Sequence, residues 1–90
     1  MSSRDYLEYR MKNYNEKVQE DYDLYIALFG KDYADKWLKR QRPVHNAMRK
    51  LWKIKGFTYY GQYEDWERDH IEERNEFLEK EGVWDLWLKG

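Results

Sequence analysis

The chain has 90 residues, 17 of them Lys or Arg and 18 Asp or Glu, for a net charge of −1. It contains no cysteine, which excludes disulfide frameworks, cysteine-ligated zinc, iron–sulfur clusters and thiol catalysis. No apolar run approaches the roughly 18 residues of a membrane span. Ile, Leu, Val and Phe together make only 17 of 90 residues, just under the roughly 20% below which a highly charged chain is suspected of disorder. Here the net charge is small, and Tyr and Trp add 14 residues, whereas disordered segments are poor in aromatics. One folded domain over 1–90 is expected, with a core built from amphipathic aromatics.

The longest periodic segment runs from about Ser3 to Phe29. Leu7, Met11, Tyr14, Val18, Tyr22, Tyr25 and Phe29 recur at spacings of 3 and 4, within about 80° of arc on a helix. This predicts one long amino-terminal helix, capped by Ser2 or Ser3 and ended at Gly30. Asp32 then opens a short helix to about Gln41, with Tyr33, Trp37, Leu38 and Gln41 on one side. Pro43 cannot continue that helix but fits the first turn of the next. The third runs to about Lys55, with Val44, Ala47, Met48, Leu51 and Ile54 inward, and stops at Gly56. The segment FTYYGQ (57–62) breaks the pattern. A fourth, acidic helix covers about Gln62 to Glu81, stopped by Gly82. The aromatic tail VWDLWLKG (83–90) is too short to be a stable helix alone and too apolar to be left in water. It is expected to dock on the bundle or on a partner. The fold is therefore read as all-α, a small bundle of about four helices. The long stripe requires either wrapping by the fourth helix or a homodimer.

Charge is distributed unevenly. Residues 1–35 carry −3, residues 36–55 carry +8 with no acidic group, and residues 56–90 carry −6. The two short middle helices are thus a basic block. Lys36, Lys39 and Arg40 lie opposite the apolar side of the first, and Arg42, Asn46, Arg49 and Lys53 opposite that of the second. Lys50 belongs to the same block, and Trp37 and Trp52 border it. Cations along a helix neutralise successive phosphates, and neighbouring aromatics stack on exposed bases. The helix–proline turn–helix order loosely matches a helix-turn-helix reader, although its turn lacks the usual glycine. Equally, the block suits an acidic protein partner or the chain's own acidic helices. The candidate partner or nucleic-acid residues are Lys36, Lys39, Arg40, Arg42, Arg49, Lys50, Trp52 and Lys53.

One polar row interrupts an apolar face. On the fourth helix Tyr63, Glu67, His70 and Arg74 fall near the centre of the inward stripe. Glu67-x-x-His70 has the spacing of di-iron bundles, but such sites need a second motif and two more carboxylates, which the chain lacks. No nucleophile or anion-binding loop accompanies His70 as an acid–base group. Glu67, His70 and Arg74 read as a partly buried ladder or a polar hot spot. No catalytic residue, metal or cofactor is expected.

In general character (short, cysteine-free, rich in Lys, Glu and Tyr, without an enzymatic motif) the chain is similar to small accessory proteins of phages or mobile elements. That likeness implies a non-enzymatic binding protein that regulates or inhibits a macromolecular partner, most readily a protein. Nucleic acid bound through residues 36–55 is the alternative. The segment MSSRDYLEYRMKNY lacks an apolar core of signal-peptide length, so a cytoplasmic location is expected, that of the host if the chain is phage-encoded.

Overall fold

The computed structural model describes residues 3–90; Ser2 and the side chain of Ser3, the two candidate caps, lie outside what is described. The described residues form seven helices and no strand: α1 (Ser3–Arg10), α2 (Tyr14–Phe29), α3 (Lys31–Arg40), α4 (Arg42–Lys55), α5 (Tyr60–Asp69), α6 (Ile71–Lys80) and α7 (Trp84–Lys89). The all-α expectation holds. The expected count of about four does not, because two of the expected helices are broken and the tail is itself helical.

The amino-terminal helix breaks at residues 11–13. The Asn13 side chain accepts from the Glu16 backbone N–H at 2.9 Å, and Glu16 Oε1 accepts from the Asn13 N–H at 3.2 Å. This capping box starts α2 afresh. The Lys12 carbonyl, freed from the helix, accepts the Tyr60 N–H at 2.7 Å, which ties the break to the start of α5. Arg10 secures the same junction, donating to Glu64 at 2.9 Å and to Asp65 at 2.7 Å. The second break falls at His70, with φ −134° and ψ 31°. Glu72 and Glu73 occupy the first turn of α6, where negative charge complements the new helix dipole.

The α3 and α4 boundaries follow the sequence closely. Gly30 alone joins α2 to α3, at φ 93° and ψ 164°, a conformation essentially restricted to glycine. Gly56 ends α4 in the left-handed region, its N–H bonded to the Trp52 carbonyl, as a glycine cap does. Between α3 and α4 the only link is Gln41.

The core is centred on α4. Val44, Ala47, Met48, Leu51 and Trp52 are buried with Tyr63, Leu78 and Val83, and Tyr14, Phe57, Tyr60, Trp66, Phe77, Trp84, Leu86 and Trp87 pack around them. Ile54, expected inward, is 63% exposed. The tail docks internally: Val83 is buried, and the Leu86 carbonyl accepts from Gln41 Nε2 at 3.0 Å. Apart from these, α2 packs chiefly on α3 as a helical hairpin. The molecule measures 35 × 34 × 18 Å with a radius of gyration of 13.7 Å. About 12 Å is usual for this length, so the domain is flattened. The stripe expected over 3–29 is not wholly buried: Leu7 of α1, Met11 in the break and Phe29 of α2 remain exposed.

Candidate functional site

The basic block is divided by the fold. Lys50 pairs with Glu81 at 2.6 Å and Lys55 with Glu73 at 2.5 Å, and the Lys55 contact holds the Glu73 carboxyl below its usual range. These two cations do face the chain's own acidic elements. Arg49 instead donates to two neutral acceptors, Asn15 at 2.8 Å and Asn46 at 3.1 Å, with its guanidinium over the Tyr14 ring. Lys36, Lys39, Arg40, Arg42 and Lys53 are exposed and form no ion pair with a described residue. The first four lie within seven residues at the α3–α4 elbow, whose inner side is the buried Gln41.

The two tryptophans beside the block are not available as stacking platforms. Trp52 is 4% exposed, stacked on Tyr63 at 5.7 Å and edge-on to Phe57 at 6.0 Å. Trp37 is likewise buried, against Tyr25 at 4.7 Å and His45 at 5.4 Å. The elbow also departs from a helix-turn-helix, whose helices are separated by a turn of 3–4 residues. Here a single residue separates them.

A surface not anticipated as exposed lies at the other end of α3. Phe29 sits 4.7 Å from Tyr33 and stacks on Tyr25 at 6.1 Å. These rings close the α2–α3 turn, yet Phe29 is 57% exposed, and Tyr33, Leu24 and Leu28 are exposed beside it. Tyr33 lies at the border of the apolar side of α3, and Lys36 and Arg40, three and seven residues on, fall within about 60° of arc of it. The aromatic tip is therefore continuous with the unpaired cations. Periodicity had placed Phe29 and Tyr33 on inward faces. The missed signal is position: both lie within three residues of the Gly30 turn, beyond the reach of any third helix.

The Glu67–His70–Arg74 row is rearranged by the second break. Glu67 and Arg74 are seven residues apart, about 10.5 Å along a continuous helix. The bend at His70 brings Glu67 Oε2 and Arg74 Nη1 to 2.8 Å. The Arg74 guanidinium also covers the Trp87 ring at 4.7 Å, so the pair fastens α5, α6 and α7 together. His70 leaves the row. Its exposed ring stacks on Trp66 (5.1 Å, interplanar 4°), with Nδ1 2.8 Å from the Trp66 carbonyl.

Among the described residues no group of three or more His, Asp or Glu is placed to hold a metal, and no helix is long and apolar enough to cross a membrane. Comparison with known proteins gives no match to a family model, a curated protein or a solved structure.

Proposed function

We propose that the protein is a non-enzymatic binding module that engages an acidic protein surface with the α2–α3 tip and the outer side of α3. The observation that carries this reading is the continuity of exposed Leu28, Phe29 and Tyr33 with Lys36, Lys39, Arg40 and Arg42, none of them ion-paired to a described residue. Interfaces are anchored by a few aromatic and Arg residues that desolvate fully, inside a polar rim. The tip supplies rigid rings on a two-helix support, and the cations supply steering and register toward a carboxylate-rich partner. Occupation of such a partner's surface would regulate or inhibit it.

The test is photo-crosslinking from position 33 in host extract, followed by titration of the purified crosslinked partner. An acidic protein is expected, with affinity falling about thirtyfold for Phe29→Ala, the effect of losing one hot spot of about 2 kcal/mol. Lys36→Glu with Arg40→Glu should slow association and remove its salt dependence. A basic partner, or unchanged affinity in Phe29→Ala, would reject the reading.

A second reading, binding of a nucleic-acid backbone, is favoured by the six cations of α3 and α4 that meet no carboxylate: Lys36, Lys39, Arg40, Arg42, Arg49 and Lys53. The burial of Trp37 and Trp52 removes the stacking platforms expected beside the block, so the electrostatic component carries this reading. That component is strongest at low salt, so absence of binding to single- and double-stranded nucleic acid at about 50 mM salt would eliminate it.

A further inference from the structure

A cavity of about 340 Å³ is lined on α3 by Trp37 and Gln41. Tyr14, Trp37, Tyr60 and Trp87 form aromatic walls, and Val44 and Met48 of α4 form the floor. Its volume falls at the lower end of small-molecule sites, which run from roughly 300 to 1,000 Å³ and combine apolar walls with a few polar groups.

The polar groups on these walls are conspicuously short of partners. His45 is 7% exposed and lines the cavity, held edge-on to Trp37 and Tyr14, and its ring makes no hydrogen bond with a described residue. The Tyr14 hydroxyl makes none either. Trp37 Nε1 and the Tyr63 hydroxyl are buried without a completed hydrogen bond. Of these, the Trp37 indole N–H and the Tyr63 hydroxyl are fully buried, and a buried hydrogen-bonding group left unmade is costly. The four groups include donors and acceptors, so an occupant needs both.

Charge restricts the occupant further. The charged side chains at the rim are already neutralised: Lys17 by Asp21 at 2.8 Å, and Glu67 by Arg74 at 2.8 Å. Burial, reinforced by the nearby Arg49, lowers the His45 pKa and keeps the ring neutral at pH 7, with Asp21 opposing weakly. A charged ligand would enter without a counter-charge and would have to be desolvated. Aromatic walls favour flat rings stacked or met edge-on.

We propose that this cavity binds an uncharged aromatic molecule of one or two rings that carries hydrogen-bond donors and acceptors on its edge. The experiment is NMR titration of the protein with isoquinolin-1-one and indole, against benzamidine, benzoate and naphthalene. Saturable shifts at His45, Tyr14 and Tyr63 are expected for isoquinolin-1-one, at least tenfold tighter than for either charged probe and tighter than for naphthalene. Val44→Phe, which fills the floor, should abolish these shifts. His45→Leu, which keeps the volume and removes the unpartnered ring, should weaken binding at least fivefold even if Val44→Phe fails to fold. No saturable shift at millimolar probe would overturn the proposal, the cavity then holding water alone. Equal binding of benzamidine or benzoate, or shifts confined to other residues, would overturn it as well.

Discussion

The α4–α7 body and the α2–α3 hairpin are built from the same materials, amphipathic helices rich in Tyr, Trp and Phe, but they use them differently. In the body the central aromatic rings meet a second layer: Trp52 lies among Tyr14, Phe57, Tyr60 and Tyr63, and Leu78 is fully buried in the same core. In the hairpin Tyr25, Phe29 and Tyr33 stack on one another, and no further helix covers them. A helix buries its apolar stripe only against another element. Periodicity therefore identifies a face that wants a partner without saying whether the chain supplies one. The body supplies its own; the hairpin tip is left for something else.

The sharpest way to break this comparison is to truncate one side chain in each region. Leu78→Ala should destabilise the fold by about 3 kcal/mol, as deletion of fully buried leucine methyls does. Phe29→Ala should cost under about 0.5 kcal/mol, as exposed positions do. Chemical denaturation of the two variants measures both. Comparable losses would show that the tip is covered in solution, and sedimentation would then reveal the homodimer that covers it.

The same contrast explains what was legible from sequence. The α4 helix was readable because its signals agree: Pro43 in the first turn, apolar residues at helical spacing, and Gly56 at the stop. The break at 11–13 was hidden because the apolar stripe stays in phase across it. The local signal was Asn13-x-x-Glu16, a capping pattern inside an otherwise continuous helix, and here local hydrogen bonding defeats periodicity. The break at His70 carries no glycine or proline, and only the contact of Glu67 with Arg74 and the stacking on Trp66 reveal its consequence. Ile54 was misplaced inward because α6 meets the end of α4 through the Lys55–Glu73 pair and leaves Ile54 exposed beside it. Of the surface residues, the cations were legible as a block. Which of them are neutralised, Lys50 and Lys55, depended on where the acidic helices fold back.

A smaller effect tests the first break directly. Asn13→Ala removes the side chain that accepts the Glu16 N–H, and loss of such a cap typically costs about 1 kcal/mol. The cost should appear as faster amide exchange in the first turn of α2, between body and hairpin. No change in exchange or stability would mean that α1 and α2 run as one helix, and the hairpin would then extend further than described.

The smallest effect concerns the polar clasp of the hairpin. Tyr22 of α2 donates to Asp35 and joins α2 to α3, and Lys31 donates to the same carboxylate from within α3. These bonds, that of Tyr22 foremost, hold the Asp35 carboxyl below its usual range. A carboxylate with a depressed folded pKa stabilises above its unfolded pKa of about 3.9, and that contribution is lost as pH falls through the folded value. Asp35 and Lys31 are exposed and Tyr22 is half-buried, so screening keeps the contribution small. Asp35→Asn should accelerate amide exchange around the Gly30 turn less than about fivefold at pH 7, the scale of an exposed ion pair. It should leave the global melting temperature unchanged and remove the acid sensitivity of that local exchange. A global loss of stability in Asp35→Asn would mean that hairpin and body unfold as one unit, with the clasp acting on both. Loss confined to the turn would instead mark the hairpin as the less stable region, the one free to adjust when its tip meets a partner.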